Sequence, residues 1–268
     1  RVPGILGNKP ASGTEIIKAL GEEHIKTGTP IVYTSAASVF QIAAHEEVIS
    51  VEAFTDVRDR ETDLDGEDRV GRVIARPFLG SNAADFKRTD NRHDYAVPPP
   101  ADNLLPLLKD NGLDVVCIGK IASIYDSIGV TEDLTAKNNE QVVNVTIGAL
   151  AADTRGLVFS NLVDFDMLYG HRRDVEGYAR ALETFDARLP DIFNAMRDDD
   201  LLILTADHGN DPSWKGTDHS REQIPVLCTG PGLATGSIGR RESFADIGQS
   251  IAKYLGIPPL AAGTAFGL

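Results

Sequence analysis

Short apolar segments alternate with amphipathic segments along most of the chain. Residues 14–27 place apolar side chains at helical spacing behind Ser12, a residue type that caps helices, and they predict a first helix. Residues 30–34 predict a short buried strand, residues 38–47 return to a helical pattern, and residues 71–78 predict the next strand. The first third of the chain is therefore expected to mix helices and strands.

The alternation becomes more regular in the remainder of the chain. Helices are predicted over residues 101–111, 139–152, 174–197 and 243–255, and strands over residues 113–118, 157–163, 201–205 and 224–228. Strands made of continuous Val, Ile and Leu and separated by helices are typical of a parallel or mostly parallel sheet that helices cover on both faces. The predicted fold class is α/β.

A candidate domain boundary lies between these two regions. Residues 85–95 are polar and basic, and they lead into Pro98, Pro99 and Pro100. Successive prolines remove backbone donors and fix φ, so regular structure is expected to stop here. The sequence predicts a smaller domain over residues 1–98 and a larger one over residues 99–268.

Composition and charge narrow the function classes. Apolar residues make up 42% of the chain and charged residues 25%, values close to the average for folded domains. No apolar run approaches the roughly 18 residues of a membrane helix, and the first residues lack the layout of a signal peptide, which predicts a cytoplasmic protein without a membrane partner. The net charge of −14 disfavours nucleic acid as a partner. Cys117 and Cys228 lie in apolar segments and are expected to be reduced thiols.

Acidic and imidazole side chains follow two of the predicted strands. Asp166 and His171 come after the strand at 157–163, and Asp207 with His208 come directly after the strand at 201–205. His219 follows in the next loop. Polar side chains at the carboxyl ends of strands in one sheet converge in space, and mixed carboxylate and imidazole ligation suits Mn²⁺ or Zn²⁺. One Asp–His pair alone is more often a solvated loop feature, so the prediction of a metal site depends on the combination.

Several segments together resemble a known family. The sequences SGTEIIKALGEEH, YTSAASVFQIAAHEE, GRVIARPF, NRHDYA, DFDMLYGH, TADHGND and GTDHSRE, in this order and spacing, are similar to the phosphopentomutases of the alkaline phosphatase superfamily. The resemblance implies an alkaline-phosphatase-like core whose sheet lies between helices, together with a smaller α/β cap domain. The residues 1–98 would be the cap, and residues 99–268 would be the C-terminal part of the core.

The resemblance also implies a reaction and a set of ligands. Members of the family interconvert ribose 1-phosphate and ribose 5-phosphate, and the deoxyribose forms, through a phosphothreonine, with two Mn²⁺ ions and a pentose 1,5-bisphosphate activator. Asp166, His171 and His219 would hold one metal ion, and Asp207 with His208 would hold the other. The implied substrate contacts are Ser35, Arg72, Arg88 and Lys120.

Two departures from the family pattern qualify these expectations. The family's N-terminal DSxGIG-like motif, with its metal-binding aspartate, and its threonine nucleophile do not occur in this sequence, which also lacks an initiator Met. The chain is therefore expected to be a fragment that is inactive alone. Ala37 stands where the family has an aspartate that would hydrogen-bond sugar hydroxyls. Two alternatives remain open: another mutase or phosphatase of the superfamily, and a non-catalytic fragment that binds metal or sugar phosphate.

Overall fold

The computed structural model describes residues 4–34, 40–50, 53, 72–96, 99–100, 102–216 and 218–267. The chain divides into two compact units, Arg1–Val97 and Pro98–Leu268. Both units combine helices with sheets, which confirms the predicted α/β class.

The first unit is built on a six-stranded sheet with one long helix. Its elements are β1 (Leu6–Pro10), α1 (Gly13–Thr27), β2 (Ile31–Thr34), β3 (Phe40–His45), β4 (Arg72–Leu79), β5 (Lys87–Arg88) and β6 (His93–Ala96). The strand order is β1-β2-β3-β4-β5, and β6 also pairs with β4. The β1/β2 and β3/β4 pairs are parallel, and the other pairs are antiparallel.

Helix α1 confirms the predicted first helix. Its apolar face buries Ile16 and Ile17 against Ile31, Tyr33 and Phe78 of the sheet. The helix ends at Gly28, whose φ of 70° is in the left-handed region that favours glycine. The backbone N–H of Gly28 donates to the carbonyl oxygen of His24 and closes the last turn.

The prediction of a helix over residues 38–47 is wrong, because Phe40–His45 forms strand β3. This strand pairs with β2 on one side and β4 on the other, and its residues from Gln41 to His45 are all buried. A strand covered on both faces shows no apolar–polar alternation, so a short apolar run cannot be distinguished from a helix by its period.

His24 lies in the core although its helix is rich in Glu and Lys, a composition that favours a surface position. Its side chain is fully buried, its Nδ1 lies 2.8 Å from the carbonyl oxygen of Thr29, and its Nε2 accepts from the backbone N–H of His45. The ring packs against Phe78. Both ring nitrogens have hydrogen-bond partners, which replace the water that this imidazole loses on burial.

The second unit contains a three-stranded parallel sheet and a two-stranded antiparallel ladder. Its strands are β7 (Asp114–Ile118), β8 (Glu132–Leu134), β9 (Gly156–Ser160), β10 (Leu202–Leu204) and β11 (Leu227–Thr229). Its helices are α2 (Leu104–Asp110), α3 (Ile121–Ile124), α4 (Asn139–Ala151), the π-helix Phe165–Gly170, α5 (Val175–Ala195) and α6 (Ala245–Tyr254). The sheet order is β8-β7-β9, and β10 pairs with β11.

The central strand β7 is buried on both faces. Val115 and Cys117 pack with Leu105 and Leu108 of α2, whereas Val116 and Ile118 pack on the other face with residues that include Val142 of α4. Burial on both faces explains why the four residues after Asp114 in this strand are all apolar, as expected for a central parallel strand between helices. None of the described helices is long and apolar enough to cross a bilayer.

Candidate metal centre

The candidate ligands lie on three segments of the second unit. Asp166 is in the π-helix and His171 directly follows it, whereas Asp207 and His208 follow β10. His219 lies on a loop that returns to the second segment through an isolated antiparallel bridge between Gly209 and Ser220. Strands β9 and β10 belong to separate ladders. The expected placement of both strands in one hydrogen-bonded sheet is therefore wrong for the described residues.

Glycine makes the Gly209–Ser220 bridge possible. A Cβ atom at Gly209 would lie 2.7 Å from the carbonyl oxygen of Ser220, closer than a side chain tolerates. The backbone N–H of Ser220 donates to the carbonyl oxygen of Gly209 at 3.1 Å. This close approach brings His219 back beside His208, its neighbour across the loop.

Asp166 lies between two imidazoles. Its Oδ2 is 3.3 Å from His171 Nε2, and its Oδ1 is 3.3 Å from His219 Nε2. The ring of His219 stacks on the ring of His208 with centroids 3.7 Å apart, and on that of His171 with centroids 4.8 Å apart. One carboxylate and three imidazoles therefore occupy a single cluster.

A tighter set within this cluster has the dimensions of a metal site. One ligand atom each of Asp166, His208 and His219 lie within 4.8 Å of one another. A divalent ion with bonds of about 2.0–2.2 Å keeps neighbouring ligand atoms roughly 3–4 Å apart, so a small inward shift would let these three side chains contact one ion. The donor set, a carboxylate with imidazoles, fits Mn²⁺ or Zn²⁺.

The remaining candidate, Asp207, is at the edge of the cluster. Its side chain is 68% exposed, and its Oδ2 lies 3.6 Å from His208 Nε2. The division into one set with His171 and another with Asp207 and His208 stays a prediction, because a ligand atom of His208 also lies within 4.8 Å of ligand atoms of Asp166 and His219.

Burial and crowding keep His219 in the form that binds metals. Burial lowers the pKa of His219, and the neighbouring His208 lowers it further. A neutral imidazole has a free lone pair, so this shift favours the ligand form at neutral pH. Burial also raises the pKa of Tyr178, with a further contribution from the negative charge of Asp166.

Two residues behind the cluster were not predicted from the sequence. Asn210 is buried, and its Nδ2 donates a hydrogen bond to Asp166 Oδ1 at 2.6 Å. Arg173 donates to Asn210 Oδ1 at 2.8 Å. Nothing in the sequence distinguishes an arginine in HRRD from a solvated surface charge, because its contacts with Asn210 and Asp211 join positions 37 or more residues apart along the chain.

The expected substrate contacts belong to both units. Lys120 is exposed in the second unit, and its Nζ lies 3.1 Å from Sδ of Met167, the residue after Asp166. In the first unit, Arg88 Nε is buried without a hydrogen-bond partner among the described residues. Burial raises the pKa of Tyr33, and the positive charge of Arg88 opposes this rise. Arg72 is described only as a backbone position of β4. Ser35 and Ala37 lie outside the described residues.

Comparison with known proteins identifies close relatives of the whole chain. A protein from Aeromonas hydrophila named phosphopentomutase is 54% identical over 266 residues, which cover 99% of this chain and 66% of the relative. A protein of the same name from Chelativorans sp. is 56% identical over 266 residues, 99% of this chain and 65% of the relative. Another, from Shewanella woodyi, is 53% identical over 264 residues, 98% of this chain and 65% of the relative.

The chain thus spans slightly less than two thirds of the length of the relatives it matches. The profile of the Metalloenzyme superfamily matches residues 78–259, which are more than half of the chain and include all five candidate ligands. The chain belongs to the Metalloenzyme superfamily.

Proposed function

We propose that the protein carrying this sequence is a phosphopentomutase, which interconverts ribose 1-phosphate and ribose 5-phosphate and the corresponding deoxyribose phosphates. The observation that carries the proposal is the cluster of Asp166, His171, His208 and His219 in a chain similar along almost its whole length to proteins of that name. The chain contributes metal ligands and substrate contacts to this reaction.

The metal ligands are assigned as two sets. Asp166, His171 and His219 hold one divalent ion, and Asp207 with His208 contributes to holding a second, both ions being Mn²⁺. Bound divalent ions polarise phosphoryl oxygens and stabilise the charge that develops during phosphoryl transfer. The position of Asp166, whose two carboxylate oxygens each lie 3.3 Å from Nε2 of His171 or His219, supports the first set.

Cationic side chains bind the phosphate groups of the substrate. The ammonium group of Lys120 lies beside Met167, next in sequence to Asp166, so this exposed charge is close to the π-helix that carries a metal ligand. Arg72, Arg88 and Ser35 contribute phosphate and sugar contacts from the first unit, since guanidinium groups match phosphate oxygens and a hydroxyl can donate to them. Ala37 leaves one sugar contact of the family unmade.

The remaining parts of the assignment come from the family resemblance. Phosphoryl transfer proceeds through a phosphothreonine outside this chain, a pentose 1,5-bisphosphate activates the enzyme, and the protein acts in the cytoplasm on small-molecule substrates. None of the residues of this chain is assigned as the nucleophile.

A substrate panel tests this function. The protein carrying this sequence is incubated with MnCl₂ and a catalytic amount of ribose 1,5-bisphosphate, and then with ribose 1-phosphate, 3-phosphoglycerate or p-nitrophenyl phosphate. We expect ribose 5-phosphate to form without release of inorganic phosphate. Conversion of 3-phosphoglycerate, or phosphate release without isomerisation, would assign it to another activity of the superfamily. Binding of ribose 5-phosphate with no turnover of any substrate would indicate a non-catalytic role.

A further inference from the structure

Arg173 connects all three segments that carry the candidate metal ligands. Its Nη1 donates to the carbonyl oxygen of Gly170, the residue before His171, at 3.0 Å. The same nitrogen lies 2.8 Å from Asn210 Oδ1 and 2.8 Å from the carbonyl oxygen of Asp211. Its Nε and Nη2 donate to the carbonyl oxygens of Gly216 and Asp218, the latter directly before His219. One guanidinium therefore joins the end of the π-helix to both ends of the loop between His208 and His219.

The acceptors of Arg173 indicate a geometric role for its side chain. Among the described residues, four of its five hydrogen bonds are to backbone carbonyl oxygens and the fifth is to a neutral amide, so none of these five is to a carboxylate. Only arginine presents five N–H donors in a rigid plane, whereas the donors of lysine radiate from one point. Lysine could keep the positive charge at this position but could not make the same set of contacts.

The contact with Asn210 fixes which way that amide faces. A guanidinium has no acceptor, so Arg173 selects the amide oxygen of Asn210 and leaves Nδ2 facing the opposite direction. Nδ2 then donates to Asp166 Oδ1 at 2.6 Å. The consecutive hydrogen bonds from Arg173 to Asn210 and from Asn210 to Asp166 thus orient the Asp166 carboxylate, whose Oδ2 lies beside His171.

Local backbone structure is adapted to this arrangement. A Cβ atom at Gly170 would lie 2.7 Å from Cγ of Asn210, so only glycine lets the amide reach Asp166 along this path. Arg173 itself has a φ of 57°, in the left-handed region that residues with a side chain seldom occupy. A residue held in such a conformation is over-determined by its surroundings, and such positions are concentrated at functional sites.

We infer that Arg173 is a positioning residue of the metal centre: it acts through Asn210 to orient Asp166 and holds the loop that ends at His219. The inference rests on the metal-binding part of the proposed function. It gives an unusual expectation, because a positive charge close to a cation site should by itself weaken metal binding. If the charge of Arg173 has the larger effect, its removal should strengthen metal binding. If its positioning of the ligands has the larger effect, its removal should weaken metal binding.

Mn²⁺ binding measures this difference without any assay of turnover. The affinity is determined by electron paramagnetic resonance of free Mn²⁺ for the wild-type protein and for Arg173→Met, Arg173→Lys, Asn210→Ala and the control Arg180→Met. Arg180 is an exposed arginine that, among the residues the structure describes, forms an ion pair only with Glu176 across one helical turn. We expect about 10- to 100-fold weaker binding for the first three variants, the range typical of residues that support metal ligands, and a change of less than about twofold for the control, because its ion pair is exposed.

The outcomes separate the inference from the proposed function. Loss of affinity in Arg173→Lys supports a geometric role, because this variant keeps the charge. Unchanged or tighter binding in Arg173→Lys and Asn210→Ala, with a wild-type protein that binds Mn²⁺, overturns the inference alone. A wild-type protein that does not bind Mn²⁺ overturns the metal site on which both proposals rest.

A double variant tests whether Arg173 acts through Asn210. If it does, Arg173→Lys combined with Asn210→Ala should lose less affinity than the product of the two single losses. A loss of affinity in the double variant equal to that product would show that Arg173 does not act through Asn210. Circular dichroism of each metal-free variant establishes that it is folded. If Arg173→Met does not fold, the two single variants Arg173→Lys and Asn210→Ala are sufficient for the test.

Discussion

The imidazole rings of His208 and His219 stack with their centroids 3.7 Å apart and their planes inclined by 23°. These two residues were assigned from the family resemblance to different metal ions. Their close contact means that removal of either ring should disturb the same part of the site. It also brings the loop residue His219, the weakest candidate by sequence pattern, to the centre of the cluster beside Asp166.

A first prediction concerns these two histidines. His219→Ala should weaken binding of the tightest Mn²⁺ ion by more than about tenfold, because it removes a direct ligand. His208→Ala should weaken binding of the same ion by about tenfold, because the ring of His208 stacks on that of His219 and supports its position. Isothermal titration measures the change. The exposed His93 supplies the control His93→Ala, which should bind as the wild type does. An unaltered affinity in His219→Ala would exclude this residue as a ligand of the tight site.

A second prediction concerns the acid stability of the first unit. Burial lowers the pKa of His24, and Nε2 must be unprotonated to accept from the backbone N–H of His45. In the unfolded chain His24 takes up a proton near the usual pKa of about 6.5, whereas in the folded chain it is protonated only at lower pH. The contribution of neutral His24 to the free energy of unfolding is therefore complete above that pH and is lost as pH falls through the lowered pKa.

Urea unfolding at pH 7.5, 6.5 and 5.5 measures this dependence. The free energy of unfolding of the first unit should decrease as pH falls, and His24→Gln should be less stable at pH 7.5 but show a flatter dependence. An identical slope in His24→Gln and the wild-type protein would contradict the prediction.

A third prediction concerns packing around Phe78. This ring is fully buried and makes edge contacts with His45 and Phe86 at centroid distances of 5.4 and 5.2 Å. Phe78→Ala should reduce the free energy of unfolding by about 3–5 kcal/mol, because it removes apolar surface and leaves a cavity. Leu79→Ala, at a neighbouring position that is 39% exposed, should cost less than about 1 kcal/mol. Equal losses in chemical denaturation would refute this account of the core.

A fourth prediction concerns the two free cysteines. Burial, with a smaller contribution from the charge of Asp133, raises the pKa of Cys117 to about 11. Burial also raises the pKa of Cys228, but this thiol is only partly buried and is therefore more accessible to a reagent. The thiolate is the reactive form, so a disulfide reagent at pH 8 should modify Cys228 at least tenfold faster than Cys117. The difference should disappear in denaturant. Peptide mass mapping distinguishes the two sites, and faster labelling of Cys117 in the folded protein would contradict its burial.

The spacing of apolar residues predicted those helices and strands whose pattern fits only one type of secondary structure. The helix at α5 and the central strand β7 were both found where the sequence placed them. Strand β3 was missed because burial on both faces removes the alternation that identifies a strand. The π-helix after β9 was missed too, since its extra residue per turn leaves no distinct mark in the six residues Phe165–Gly170.

The candidate ligands could be predicted because carboxylates and imidazoles after strands form a recognisable combination. Their supporting residues could not. Arg173 and Asn210 are recognised only by contacts with residues 37 or 44 positions away, and no local pattern encodes such contacts. The bridge between Gly209 and Ser220 likewise depends on tertiary approach.

The most direct test of the central claim is Mn²⁺ titration of the wild-type protein and of Asp166→Ala, with Asp198→Ala as a control that removes an exposed carboxylate. Asp166 touches two imidazoles and one amide, so its loss should weaken Mn²⁺ binding more than about 100-fold, beyond the range for supporting groups. Asp198→Ala should bind as the wild type does. Mn²⁺ affinity that is equal in Asp166→Ala and the wild-type protein would contradict a metal centre at this cluster.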